Sequence, residues 1–358
     1  MLLQNPGKYK VFFMIFLKKW HCGLSQRKKV AARRRILYNR LRNKKTGRRG
    51  GVAAVPRMIG EILIMPTSYE GRRFGDRKDG RLLRSLNPFS KFIPYIMKDR
   101  NDATNLYEDM VEITDIEQWL RGLRREDWKG IGMLHLFIAA YLRTVSQCPG
   151  VNRFISGQKI YARNNIEVVM VVKKSLTVEA EETTIKVAFE PTDTIFDVYR
   201  KMNEKVEEIK AGGEENNTEE VAGALMKIPG LLLRGAVGIL KFLDYFGLLP
   251  QSLLDASPFH GSLIVTDLGS LGTCPVYHHI YNFGNLPFFL AFGSKRRAWE
   301  LDRTGAPVER KYVDYRVSMD ERICDGAYLV NSMKYMKYYI THPKELEERP
   351  AVVKDDIF

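Results

Sequence analysis

Acidic residues are missing altogether from the first 60 positions of this 358-residue chain, which carry 17 lysines and arginines. The other 298 residues hold 40 basic against 42 acidic side chains, so the formal net charge of +15 is local and the body is nearly neutral. A body of this charge gives no reason to expect a nucleic-acid partner. Cysteines are few: Cys22, Cys148, Cys274 and Cys324 lie far apart with no CxxC pair. That spacing indicates neither a disulfide framework nor a zinc site, and a reducing cytoplasm is the expected compartment. Long apolar runs are lacking too. Val11 to Leu17 is seven residues, too short for a bilayer, and the apolar stretch from Glu220 to Leu249 is broken by Pro229-Gly230 and carries Arg234, Lys241 and Asp244. There is no glycine-rich phosphate loop of the P-loop or dinucleotide type, and no internal repeat.

What is present is enough apolar residue, 45% of the chain, for one large core. Residues 1–65 read as a basic, disordered extension that ends at Met65, just ahead of the first stretch patterned like a folded domain. Most of its charges follow the apolar run and small residues are sparse, unlike a secretory signal. An arm on an anionic membrane or nucleic acid is the alternative. Residues 66–348 read as one domain with an apolar helical insertion over 219–256, and 349–358 as a C-terminal tail.

Within the domain, Asn105 to Thr114 alternates as a strand and precedes a short helix over Ile116 to Leu123. Leu134 to Val145 is an apolar helix stopped by Cys148-Pro149-Gly150. Ile160 to Val172, around the turn-forming Asn164-Asn165, and Leu176 to Phe189 read as the two strands of a hairpin. Thr194 caps a helix with Ile195, Val198, Tyr199, Met202 and Val206 at helical spacing, and a polar loop follows over Gly212 to Thr218. The stretch Glu220 to Leu249 reads as an interior helical hairpin, with a membrane-facing or acyl-chain-contacting surface as the alternative. Strands are expected over Ser262 to Thr266, Pro287 to Gly293 and Lys311 to Met319, then a closing helix over Ala327 to Ile340. Elements interleaved in this way imply an α/β domain, a mixed sheet covered by helices.

The most informative run is Ser318-Met319-Asp320-Glu321-Arg322-Ile323-Cys324-Asp325-Gly326-Ala327, where a strand feeds the last helix. It resembles the Ser-x-Asp-His-Arg-x-x-Asp-Gly-Ala motif of the dihydrolipoyl acyltransferase catalytic domain of 2-oxoacid dehydrogenase complexes, and the His-x-x-x-Asp-Gly motif of chloramphenicol acetyltransferase. Upstream, Gly261 to Gly269 resembles the same family's strand ending in Ser or Thr, then Leu-Gly. Leu134 to Phe154 and Tyr107 to Ile116 are also similar, so the likeness spans roughly residues 72–346. It implies a chloramphenicol acetyltransferase-like two-layer α/β fold, coenzyme A or acyl-CoA as substrate, and a homotrimer with active sites between neighbouring subunits. Thr266 takes the position of the oxyanion donor. Arg322 and Asp325 take those of residues that hold the loop by ion pairs, with Ser318, Asp320 and Gly326 completing the motif. Glu321 stands where the family has its catalytic histidine. No lipoyl-lysine or subunit-binding domain precedes the core, and Lys173-Lys174-Ser175-Leu176 replaces the family's Gly-Leu-x-x-Pro, so neither a covalent lipoyl group nor a lipoamide substrate is expected.

Acyl transfer at a thioester needs a base, an oxyanion donor and a channel for both substrates. Imidazole suits the first task because it is neutral yet basic near pH 7. A carboxylate in water, with a pKa of about 4.3, is a poor base toward a thiol of about 8.5, unless burial raises it by roughly three to five units. Glu321 could instead join the ion-pair network of Arg322 and Asp325, and His279, next to His278, could supply the base. Cys324 reads as a small buried filler. Three functions therefore stand open: a coenzyme A-dependent acyltransferase acting on an unknown acceptor through Glu321 or His279, a non-catalytic trimeric relative that binds coenzyme A or acts as a scaffold, and a membrane-surface protein.

Overall fold

Period-two alternation in four apolar strands decides the architecture. A computed structural model describes residues 73–173, 182–210, 223 and 229–357. The basic extension, the loop at 212–218 and the segment Lys174-Ser175-Leu176 lie outside the described residues. A six-stranded sheet has the order β2 (Thr104–Glu112), β9 (Pro307–Asp320), β8 (Phe288–Leu301), β7 (Leu263–Asp267), β5 (Ile166–Lys173) and β6 (Glu182–Phe189). β7 runs parallel to both β5 and β8, and the other neighbours are antiparallel, so the sheet is mixed. A smaller antiparallel sheet orders β1 (Gly80–Leu82), β4 (Lys159–Arg163) and β3 (Arg153–Ser156).

Val168, Met170, Leu263, Val265, Phe288, Leu290, Val317 and Met319 all point to one face, where they form the main core with the helices. Three helices cover it: α3 (Met133–Gln147), α4 (Ile195–Lys210) and α7 (Gly326–Thr341). Of the earlier helices, α2 (Thr114–Arg125) adds Ile116, Leu120 and Leu123 to the same core, while α1 (Pro88–Ile96) buries only Pro94. α3 is buried from His135 to Ser146, and Phe137 stacks on Phe292 at 4.6 Å. The alternate residues Val169, Ile264 and Phe289 point to the opposite face, where Leu286 joins them in a much smaller cluster. No helix lies in that cluster. This open face carries the site described below.

Several expectations need correction. Ile160 to Val172 is two strands in two sheets, because the backbone of Asn164 bonds the Asp79 carbonyl and its side chain the Lys78 carbonyl, breaking the chain's direction. The hairpin joins β5 to β6 only, Ile166 standing opposite Phe189. β8 and β9 run well past the expected strands. Their outer halves are exposed and held by charged pairs such as Arg296 with Asp314, which erases the apolar alternation. The helix of the insertion, α5 (Gly230–Tyr245), is not interior: Leu231 is 83% and Ile239 62% exposed, and α6 (Gln251–Ala256) follows it. The C-terminal tail is docked. Arg153 holds Asp356 through Nε at 2.7 Å, and the backbone of Lys354 donates to Ser146. Among the described residues, no helix is long and apolar enough to cross a membrane.

Candidate active site

The run from Ser318 to Ala327 leaves the end of β9 and enters α7, and the chain must turn there between two packed elements. Asp320 is the hub of that turn. Fully buried, its carboxylate accepts from Arg322 Nε at 2.8 Å and Nη2 at 2.7 Å, from the Arg322 backbone at 3.1 Å, and from Arg100 Nε at 3.3 Å. Arg322 also donates to the carbonyls of Met97 and Lys98, each at 2.9 Å. Arg100 donates onward to the carbonyls of Tyr281 and Gly284. The ion pair of the loop therefore joins Arg322 to Asp320 and not to Asp325. Asp325 is exposed and caps α7, accepting from the Tyr328 backbone at 2.8 Å. A Cβ added at Gly326 would meet nothing within 4 Å.

Glu321 is pinned by its backbone, whose N–H donates to Ala103 at 2.8 Å, while its side chain is exposed. It joins no hydrogen bond or ion pair among the described residues, so it is outside the network of Arg322. Cys324 is buried, and burial pushes its thiol up to about 12, which leaves no thiolate near neutral pH. The Ser318 hydroxyl is buried on the open face without a hydrogen-bond partner.

Thr266 shares the open face with Ile264, half-buried, its hydroxyl unpartnered among the described residues. The turn behind it needs glycine at position 269, since a Cβ there would lie 2.7 Å from the Gly293 carbonyl. Thr266 stands opposite Ala291 of β8, and Ala291 opposite Arg316 of β9. Glu321 follows Arg316 by five positions. At strand dimensions this is roughly 16 Å along the chain and about 10 Å across two strand spacings. One chain does not bring Thr266 and Glu321 together.

The segment from Pro275 to Gly284 bridges the two ends of that face. Arg316 donates to the Pro275 carbonyl at 2.7 Å at one end, and Arg100 holds Tyr281 and Gly284 at the other. His278 is half-buried and stacked on Phe289 at 4.2 Å, and its Nε2 is buried without a partner. Burial and the neighbouring His279 hold its pKa below the usual histidine value. His279 is exposed, edge-on to Tyr281. Among the described residues, no hydrogen bond or ion pair joins either histidine to Thr266 or Glu321.

No protein-family model matches the sequence, and no curated protein matches it. Solved structures do. A probable dihydrolipoamide acetyltransferase from Listeria monocytogenes aligns with 72% of this chain and 93% of its own, at 16% identity and a TM-score of 0.46. A chloramphenicol acetyltransferase aligns with 73% of this chain and 99% of its own, at 13% identity and a TM-score of 0.45. The truncated catalytic core of a 2-oxoacid dehydrogenase multienzyme complex from Thermoplasma acidophilum aligns with 74% and 99%, at 13% identity and 0.45.

Sequence reasoning missed two groups of buried charges. Arg100 lies 220 positions from Asp320 and carries no motif. Arg77, the second, bonds Asp79 at 2.8 Å and Asp244 at 2.7 Å, and its Nη1 donates to Ser156 at 2.7 Å. Burial alone would raise the Asp244 carboxyl, but His260 and Arg77 hold it below the usual value. In the sequence Asp244 is only a charge interrupting an apolar stretch. The sole available signal was that it is the one acidic residue of α5.

Proposed function

We propose that this chain transfers an acyl group between a coenzyme A thioester and an unidentified acceptor, at a site completed between copies of the chain, a homotrimer by the family's pattern. Thr266 donates to the oxyanion, and Glu321 occupies the base position. The observation that carries this reading is the clamped turn: Asp320, Arg322 and the Ala103 contact fix the backbone so that, from Asp320 to Cys324, Glu321 is the side chain presented to solvent. The wide separation of Glu321 from Thr266 supports a site shared between subunits, since a base and an oxyanion donor must meet around one reacting carbonyl. Exposure in a single chain would give way to desolvation when a second copy and the substrate cover the open face.

Thr266→Val, nearly isosteric, tests the assignment. Loss of one oxyanion donor is expected to lower kcat by about 10²- to 10³-fold with KM little changed. Thiol release from acyl-CoA measures it, and size-exclusion chromatography with light scattering counts the copies. An unchanged kcat removes Thr266 from the mechanism, and a monomer that turns over at full rate sinks the shared site.

A second reading concerns where the enzyme works. α5 exposes Leu231, Leu232, Ile239 and Phe242 together with Arg234 and Lys241, while its one acidic residue, Asp244, is turned inward to Arg77. An apolar surface with cations and no exposed acid suits the interface of an anionic bilayer. The full chain is expected to float with phosphatidylserine-containing liposomes, and Leu232→Asp with Phe242→Asp to abolish flotation. Equal flotation of the double variant would overturn the role of α5.

A further inference from the structure

Arg163, at the end of β4, is 8% exposed and has no carboxylate within ion-pair distance among the described residues. Its Nη2 donates to Asn285 Oδ1 at 2.7 Å, its guanidinium lies 4.4 Å over the Phe154 ring, and its Nε is buried with no partner. A buried guanidinium without a counter-charge is costly, by several kcal/mol in general. The neighbouring acids are already engaged. Asp79 accepts from Arg77 and Asn285, and Glu167 pairs with Lys186 at 3.0 Å. Burial pushes the Arg163 pKa below the usual arginine value, with Asp79 and Glu167 acting the other way.

This side chain lines a cavity of about 140 Å³. His260, 2% exposed, lines it as well, and its Nε2 is also without a hydrogen-bond partner, the Asp244 oxygen lying 3.5 Å away. Lys78 stands on the wall, exposed. A buried guanidinium Nε with no partner, a buried imidazole Nε2 with only the Asp244 carboxylate at 3.5 Å, and a lysine on the wall of one small polar cavity call for a ligand that accepts hydrogen bonds and carries negative charge.

We infer that this cavity binds a small oxyanion, of phosphate or carboxylate size, against Arg163, His260 and Lys78. The site is separate from Thr266 and Glu321 and does not depend on acyl transfer. Arg163 recognises the charge, His260 Nε2–H donates to a second oxygen, and Lys78 guards the entry. Arg77 neutralises Asp79 on the wall and Lys186 neutralises Glu167.

Isothermal titration of the full chain with inorganic phosphate and with acetate, at constant ionic strength set by chloride, tests the inference. Saturable binding of one anion per chain is expected, lost in Arg163→Gln and weakened about tenfold or more in Lys78→Ala, as for a charge-assisted hydrogen bond. Binding of phosphate alone points to a phosphoryl ligand, and binding of acetate points to a carboxylate; either supports the site. No saturable heat with either anion overturns it. Should Arg163→Gln fail to fold, Lys78→Ala and His260→Gln decide, and binding unchanged in both overturns the assignment.

Discussion

Glu321→Gln is expected to lower thioester-dependent acyl transfer by about a hundred- to ten-thousandfold, the usual cost of losing a general base. The change is conservative in shape, and the backbone it sits on is held independently by Ala103 and by the buried Arg322. Fold, oligomeric state and coenzyme A affinity should therefore persist, which separates a chemical effect from a structural one. Calorimetry with coenzyme A and stopped-time thiol release make the two measurements. Glu321→His should move the rate the other way, because imidazole is both neutral and basic near pH 7 where an exposed carboxylate is a poor acceptor of a thiol proton. Activity indifferent to Glu321→Gln removes it from the mechanism, and His279→Gln then becomes the decisive variant. A chain that binds coenzyme A but turns nothing over, with or without Glu321→His, would be a binding or scaffold protein.

The second large effect is on stability. Asp320→Ala leaves Arg100 and Arg322 buried with no carboxylate, and breaking a buried pair by removing one partner costs roughly 3–5 kcal/mol. Urea denaturation should show a markedly lower midpoint, and Asp320→Asn, which retains one acceptor, a smaller fall. Asp325→Ala provides the contrast. Its carboxylate caps α7 from an exposed position, so about 1 kcal/mol is expected. Equal costs at the two positions would mean that Asp320 is not the hub of the turn.

These two aspartates show how far a motif can be read. Their spacing in the chain announced a strand-to-helix turn, and the turn is there. Which of them accepts the arginine was not legible, because a side chain two positions from Arg322 and one three positions from it are both within its reach. Burial separates them: Asp320 ends an interior strand of the sheet, while Asp325 begins an exposed helix turn. The insertion shows a different limit. Its composition is that of an interior helix, and nothing in the residues says that only Leu233, Ala236, Leu240 and Leu243 would be partly covered.

Local patterns by themselves determined the mixed α/β class, most helices and strands, the Gly269 turn and the strand-to-helix placement of Glu321, since each depends on side-chain periodicity or backbone freedom over a few residues. Only the tertiary structure decided which face Thr266 occupies, how far it lies from Glu321, the docking of Asp356 on Arg153, and the unpaired burial of Arg163. Those are consequences of strand order and register, which bring together residues 122 to 220 positions apart and which no local spacing records.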